Sequence, residues 1–241
     1  MLRFKKKIIF TGGNGRFGKV LKQKTKHLRN VIYFPTSKQL NILDIKSIKN
    51  YLKKIKPKYL IHAAGLSRPM ALHDKDILKS IDLNIIGTSN ITKICSELNI
   101  KLIFFSTSYV YPGDKGNYNE DDPLKPINNY GLSKMGGEAA VQMYKNSLIL
   151  RLAMTEKPFT HKSAFKDFIT NFIYHDEVIE ILFKILDKKG ILNIGGKSQS
   201  AYAFAKSKGA EVKKIYAKKF LGKNTKLNVS MNTNKLKKII K

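Results

Sequence analysis

Tryptophan is missing from this chain, cysteine occurs once, and arginine supplies only five of the 46 basic residues. Each shortage excludes something. Cys95 has no partner within the chain, so no internal disulfide forms, which suits a reducing compartment. Arginine is the usual residue for bidentate phosphate and base recognition, and Arg3, Arg16, Arg29, Arg68 and Arg151 are all there is. The net charge of +29 therefore reads as a solvated lysine coat with a general attraction to anions, not as a specific nucleic-acid surface. No apolar run approaches the ~18 residues of a membrane span. Ile8 to Phe10 is too short for a signal-peptide core. The expectation is a cytoplasmic protein with no membrane association and no metal site.

The sequence does hold a 42% hydrophobic fraction over 241 residues, enough for one globular core with a small appendage. Its most informative stretch runs from Lys7 to Gly18. The apolar run Ile8-Ile9-Phe10 leads into Gly12, Gly15 and Gly18, spaced G-x-x-G-x-x-G, and an amphipathic helix pattern follows. Strand, glycine turn and helix is the order that sets a dinucleotide pyrophosphate on a helix N-terminus. The alternative is a glycine-rich turn with no ligand.

The rest of the chain alternates in the same way. Strands are expected at Val31–Phe34, Tyr59–His62, Lys101–Phe105 and Ser147–Leu152. Helical patterns lie between them, over 45–55 and, as one long segment, over about 74–98. This predicts an α/β, Rossmann-type, doubly wound parallel sheet. Ligands of such sheets sit at the carboxyl ends of the strands, where the glycine turn, Ala63-Ala64-Gly65 and Thr107 all fall. The turn Thr36-Ser37-Lys38 after the second strand carries no carboxylate, so nothing there repels a 2′-phosphate. That tilts the cofactor towards NADP(H) over NAD(H), with an ordinary polar loop as the alternative. His62 reads as a packed strand residue, and Asn84 as a helix breaker with a possible role. The long polar loop 112–129 is expected to shape a binding site.

Tyr130 and Lys134 are four residues apart and share one helix face. A nearby ammonium lowers a tyrosine pKa from its usual value near 10, so the phenol can exchange a proton with a substrate oxygen. Thr107 could fix that oxygen. The cofactor would carry the hydride.

With these residues in view, the chain resembles the extended short-chain dehydrogenase/reductases, in the NAD-dependent epimerase/dehydratase superfamily that acts on nucleotide sugars. Thr11 to Gly18, including Arg16 and Phe17, matches that branch's glycine motif. Leu43-Asp44-Ile45 resembles its adenine-contacting segment, and His62-Ala63-Ala64-Gly65 its third-strand motif. Asp82 to Thr88 is similar to its Asn-helix, and Thr107, Tyr130 and Lys134 stand where its catalytic residues do. Within the branch, Ser106 to Gly113 is most similar to the dTDP-4-dehydrorhamnose reductases, which usually carry Asp where this chain has Ser108. The resemblance implies catalysis by Thr107, Tyr130 and Lys134. It implies cofactor contacts from Gly12, Gly15, Arg16, Phe17, Gly18, Thr36, Ser37, Lys38, Asp44, Ile45, Ala63, Ala64, Gly65, Tyr130 and Lys134. Substrate contacts would come from Thr107, Ser108, Tyr130 and Arg151, with an interior ion pair as the other reading of Arg151. His161 and Lys162 are further candidates. Residues 1–152 would form the NAD(P)-binding core and 153–241 a shortened C-terminal substrate-binding region, with about 172–189 returning to the core.

The implied activity is NADPH-dependent reduction of a nucleotide-linked 4-keto-6-deoxy sugar, in a chain that could form a homodimer. Two alternatives stay open. One is a nucleotide-sugar epimerase with retained NAD. The other is a non-catalytic, cofactor-binding regulatory subunit. A 4,6-dehydratase would place Asp-Glu where Ser108-Tyr109 stands, and Cys95 sits too early for an epimerase of the fucose-synthase type.

Overall fold

A computed structural model describes residues 6–28 and 31–241. Six strands form one parallel sheet: β1 (Ile8–Thr11), β2 (Ile32–Tyr33), β3 (Tyr59–His62), β4 (Lys101–Thr107), β5 (Ser147–Leu152) and β6 (Gly190–Ile194), in the order β6-β5-β4-β3-β1-β2. Every residue of β1, β3, β4 and β5 is buried. That is why these segments read as continuous apolar runs: a parallel sheet is covered on both faces.

Alternation along each strand divides the core in two. Ile8 and Phe10 point into one cluster, which holds Leu21 of α1 (Arg16–Lys24), Leu182 of α5 (His175–Ile185) and Leu236 of α7 (Asn234–Ile240). Ile9 points into the other. That cluster holds Ile48 of α2 (Ile45–Ile55), Ile94 of α3 (Gly87–Glu97) and Val141 of α4 (Asn129–Gln142). This is a doubly wound, Rossmann-type arrangement. No described helix is long and apolar enough to cross a membrane.

Register aligns the carboxyl ends. Thr11 pairs with His62, His62 with Phe104, and Thr107 with Leu152. The chain leaves β1 for β2 on one side and returns as β3 on the other. The crevice therefore opens above β1 and β3, the switch point where such sheets take ligands.

Three expectations need correction. The single helix over 74–98 is broken into Leu72–Lys75, Ile77–Ile81, a five-residue π-turn at Asp82–Ile86, and α3. Asp76 makes the first break and caps the next piece, accepting from the Lys79 N–H at 3.0 Å. The π-turn carries Asn84, whose side chain faces inward to partners far away in sequence. Loop 112–129 does not line the crevice. Its Tyr118 is buried, stacks on Tyr111 at 4.8 Å, and its backbone N–H bonds the Ser230 carbonyl at 3.0 Å. The return to the core extends beyond residue 189, because β6 pairs with β5 and α7 packs into the first cluster.

Residues 154–171 hold only short strands, Met154–Thr155, Ser163–Phe165 and Ile169–Thr170, and no helix. They pack with α6 (Ala201–Ser207) around a third cluster built largely of alanine, such as Ala164, Ala201 and Ala205.

Candidate active site

The glycine turn comes first. Gly12 has φ +85°, and a Cβ there would stand 2.9 Å from the Ala63 carbonyl and the Ala64 nitrogen. Only glycine lets the turn pass this close to the end of β3. At Gly18 a Cβ would meet the Gly12 carbonyl oxygen at 2.5 Å, so glycine there lets α1 start tight against the turn. Gly15 caps α1 with no side-chain bond, and the first turn carries no acid. The positive end of the helix thus faces the crevice without an internal carboxylate in that turn, a setting that suits a phosphate.

The crevice is a pocket of about 350 Å³. Gly12, Gly15, Arg16, Phe17 and Gly18 line one end, and Ala63, Ala64 and Gly65 the next stretch. Thr107, Ser108, Tyr130 and Lys134 line the far side. The structure therefore brings together three groups that the sequence scatters over more than half the chain.

Helix α4 positions Tyr130 and Lys134. Asn128 caps it, its side chain accepting from the Gly131 N–H at 2.8 Å. Asn84 braces it, donating to Ser133 Oγ at 2.8 Å and to the Leu66 carbonyl at 2.9 Å, and accepting from the Leu66 N–H at 2.8 Å. The π-turn thereby ties α4 to the loop that follows β3. Thr107 ends β4, and its side chain acts to lower the Tyr130 pKa.

Electrostatics depart from the expected pattern. Burial pushes the Tyr130 phenol above its ordinary value, and the opposing influences are the Thr107 side chain and the charge of Arg68. The expectation that the Lys134 ammonium sets a lowered value is corrected. Lys134 is itself buried, with Nζ 4.1 Å from the Phe104 ring centroid. Burial pulls its pKa down to about 7, against the pull of the Glu138 carboxylate. A group already half deprotonated near neutrality is a weak source of positive field.

Other expected residues lie elsewhere. Arg151 is 2% exposed and does not reach the pocket. Its Nη2 donates to Glu138 Oε1 at 2.6 Å, and its Nη1 to the Tyr111 hydroxyl at 2.7 Å and the Glu120 carbonyl at 2.8 Å. The expected substrate contact is thus corrected to an interior ion pair. Thr36, Ser37 and Lys38 form an exposed turn after β2, outside the pocket. Asp44 accepts from the N–H groups of Lys46 and Ser47 as the cap of α2, and Ile45 opens that helix; neither lines the pocket. His62 is fully buried between Thr11 and Thr88, and burial lowers its pKa to about 3. It is a packed strand residue.

The sequence reading missed Arg68, Glu156 and His175, all of which line the pocket. Glu156 accepts from Arg16 Nη1 at 3.0 Å and stands 3.4 Å from Arg68 Nη1. His161, a weaker candidate, has Nε2 3.5 Å from Arg68 Nη1, but neither it nor Lys162 lines the pocket. Arg68 and Glu156 follow the carboxyl ends of β3 and β5, so the strand-end rule applied to every strand would have reached them.

A family model described as the RmlD substrate binding domain matches residues 6–180. The chain belongs to this family. Among curated relatives of the RmlD-type chain, the methionine adenosyltransferase 2 subunit beta of Xenopus laevis is 30% identical over 155 residues, covering 61% of this chain and 46% of that protein. A dTDP-4-dehydrorhamnose reductase of Mycolicibacterium smegmatis is 28% identical over 150 residues, covering 61% and 45%. The chain thus spans about half the length of the curated relatives it matches. Among solved structures, a dTDP-4-dehydrorhamnose reductase from Bacillus anthracis in complex with NADP superposes with a TM-score of 0.85 at 24% identity, covering 97% of this chain and 92% of that one. This likeness supports the RmlD-type fold across nearly the whole chain.

Proposed function

We propose that this RmlD-type chain reduces the 4-keto group of a nucleotide-linked 6-deoxy sugar with NADPH. The observation that carries the reading is the meeting of Thr107, Tyr130 and Lys134 in the pocket that begins at the glycine turn. Support comes from the relative named dTDP-4-dehydrorhamnose reductase and from the fold neighbour of that name, which was solved with NADP.

When bound, the nicotinamide cofactor supplies the hydride. Gly12, Gly15, Arg16, Phe17 and Gly18 would hold its phosphates, and Ala63, Ala64 and Gly65 leave room beside them. Thr36, Ser37 and Lys38 would meet the 2′-phosphate, and Asp44 and Ile45 the adenine. Tyr130 gives its proton to the carbonyl oxygen. Burial keeps the phenol protonated at neutral pH, the state a proton donor must be in. Thr107 orients that oxygen. Lys134 holds the nicotinamide ribose and lies one turn from the phenol. We assign residues 1–152 to cofactor binding and 153–241 to the substrate side, except α5, β6 and α7, which return to the core.

The test is Tyr130→Phe. Removing a positioned proton donor should cut turnover of dTDP-4-dehydrorhamnose by about 10²–10⁴-fold, while NADPH still binds. Wild-type-like turnover would remove Tyr130 from the chemistry.

A second reading has its own support. Relatives named as a subunit of methionine adenosyltransferase 2, and the short 154–171 segment, favour a cofactor-binding regulatory subunit. That reading predicts NADPH binding with no NADPH consumption on any sugar nucleotide.

A further inference from the structure

Among the described residues, three lysine and arginine side chains line the pocket: Arg16, Arg68 and Lys134. Two are committed by position. Arg16 opens α1 beside the glycine turn. Lys134 lies buried over Phe104, one helical turn from Tyr130. Arg68 has neither role. Its side chain is 28% exposed, and its Nη1 stands 3.4 Å from each of the two Glu156 carboxylate oxygens and 3.5 Å from His161 Nε2. These contacts are at the long edge of hydrogen bonding. Glu156 itself lies nearer Arg16, at 3.0 Å.

The C-terminal wall of the pocket sharpens the point. Leu152, Ala153, Met154, Glu156, Phe172 and His175 bring a carboxylate and an imidazole but neither lysine nor arginine. Arg151, the arginine at the end of β5, is locked in its interior pair. An anionic substrate entering from that side meets Arg68, the pocket guanidinium that has no place on the glycine turn.

We propose that Arg68 receives the diphosphate of the nucleotide-linked substrate, giving up its long contacts to Glu156 for the phosphate oxygens. The assignment rests on the sugar-nucleotide reading above. A guanidinium presents a planar fork of donors that fits phosphate oxygens two at a time. The exchange swaps one anion for another at a side chain already in contact with solvent, so little desolvation opposes it. Arg68 is also electrostatically coupled to Tyr130 and Tyr109. Arg68, Tyr109 and Tyr130 line the same pocket, so one ligand there can engage both the guanidinium and the reacting end.

The experiment is calorimetric titration of the full chain, saturated with NADPH, with dTDP and with UDP. Arg68→Met should weaken nucleoside-diphosphate binding by about tenfold or more, and Arg68→Lys should weaken it less. NADPH affinity should stay within about twofold, because the glycine turn and Arg16 are untouched. Equal nucleoside-diphosphate binding by Arg68→Met and wild type overturns the assignment and leaves the substrate class standing. A parallel loss of NADPH affinity also overturns it, by placing Arg68 on the cofactor. If the wild-type chain binds neither probe, the sugar-nucleotide reading falls, and this assignment with it.

Discussion

Among the described residues two arginine–glutamate clusters occur, alike in chemistry and opposite in setting. Arg151 and Glu138 are 2% and 0% exposed and meet at 2.6 Å. Around them Ser106 donates to Glu138 at 2.6 Å, and the Tyr111 hydroxyl and Glu120 carbonyl accept from Arg151. Glu156 is 18% exposed and is shared by Arg16 and Arg68, which are 54% and 28% exposed. Water decides what each cluster can do. The interior pair is shut off from water, so it must remain closed for the fold to hold. The cluster at the pocket can trade its carboxylate for a ligand's phosphate at little cost.

The largest consequence follows from opening the interior pair. Arg151→Met strands the Glu138 carboxylate beside β4 and should cost about 3–5 kcal/mol. For a chain of this size that lowers the melting temperature by roughly 10 °C. Glu138→Leu added to Arg151→Met removes the stranded charge and should recover most of the loss. Thermal denaturation of the two variants checks both statements. A single-variant loss under about 1 kcal/mol would show that the pair behaves like a surface bridge.

A medium effect is expected one helical turn from Glu138. Lys134 has its pKa pulled down to about 7 by burial. Its usual value is about 10.4 in the unfolded chain. Between those values the unfolded state binds more protons, so stability rises with pH through that window and falls as pH drops towards 7. Lys101, lowered to about 8 by burial, adds the same trend over the upper part of the window. Lys134→Met should therefore be more stable than wild type at neutral pH, with the difference shrinking as pH approaches 10. Melting curves across that range test it. A variant less stable than wild type at pH 7 would mean that Lys134 is held as an ammonium by partners stronger than Glu138.

Much of this architecture is written locally. A strand buried on both faces is apolar along most of its length, so β1, β3, β4 and β5 are visible as runs. The glycine turn is visible because a turn this close to β3 leaves no room for a Cβ at Gly12 or Gly18. Tyr130 and Lys134 are visible because helical spacing alone puts them on one face. What sequence could not supply are pairings between distant segments. Asn84 turns inward because Leu66 and Ser133, 18 and 49 residues away, offer it three bonds. Arg151 is claimed by Glu138 and Tyr111, and loop 112–129 by Ser230, none of which its own neighbours announce. Arg68 and Glu156 are 88 residues apart and meet only after β3 and β5 align at the same edge of the sheet. The rise in the Tyr130 pKa likewise comes from the depth of the site, which no spacing encodes.

The smallest expected effect sharpens the contrast between the two clusters. Burial raises the Glu156 carboxyl, but Arg68 and Arg16 outweigh it and leave the group below its usual value. Stability from this carboxylate is therefore present above its unfolded pKa of about 4.3 and is lost as pH falls through the lower folded value. Glu156→Gln should cost no more than about 1 kcal/mol at pH 7, since all three side chains keep contact with solvent. The difference from wild type should vanish in about 1 M salt, where screening reaches across a few ångströms, and again in acid once wild-type Glu156 is protonated. Melting curves at two salt concentrations and two pH values measure it. A loss matching that of Arg151→Met, insensitive to salt, would make Glu156 as structural as Glu138. Arg68 would then no longer be available for exchange.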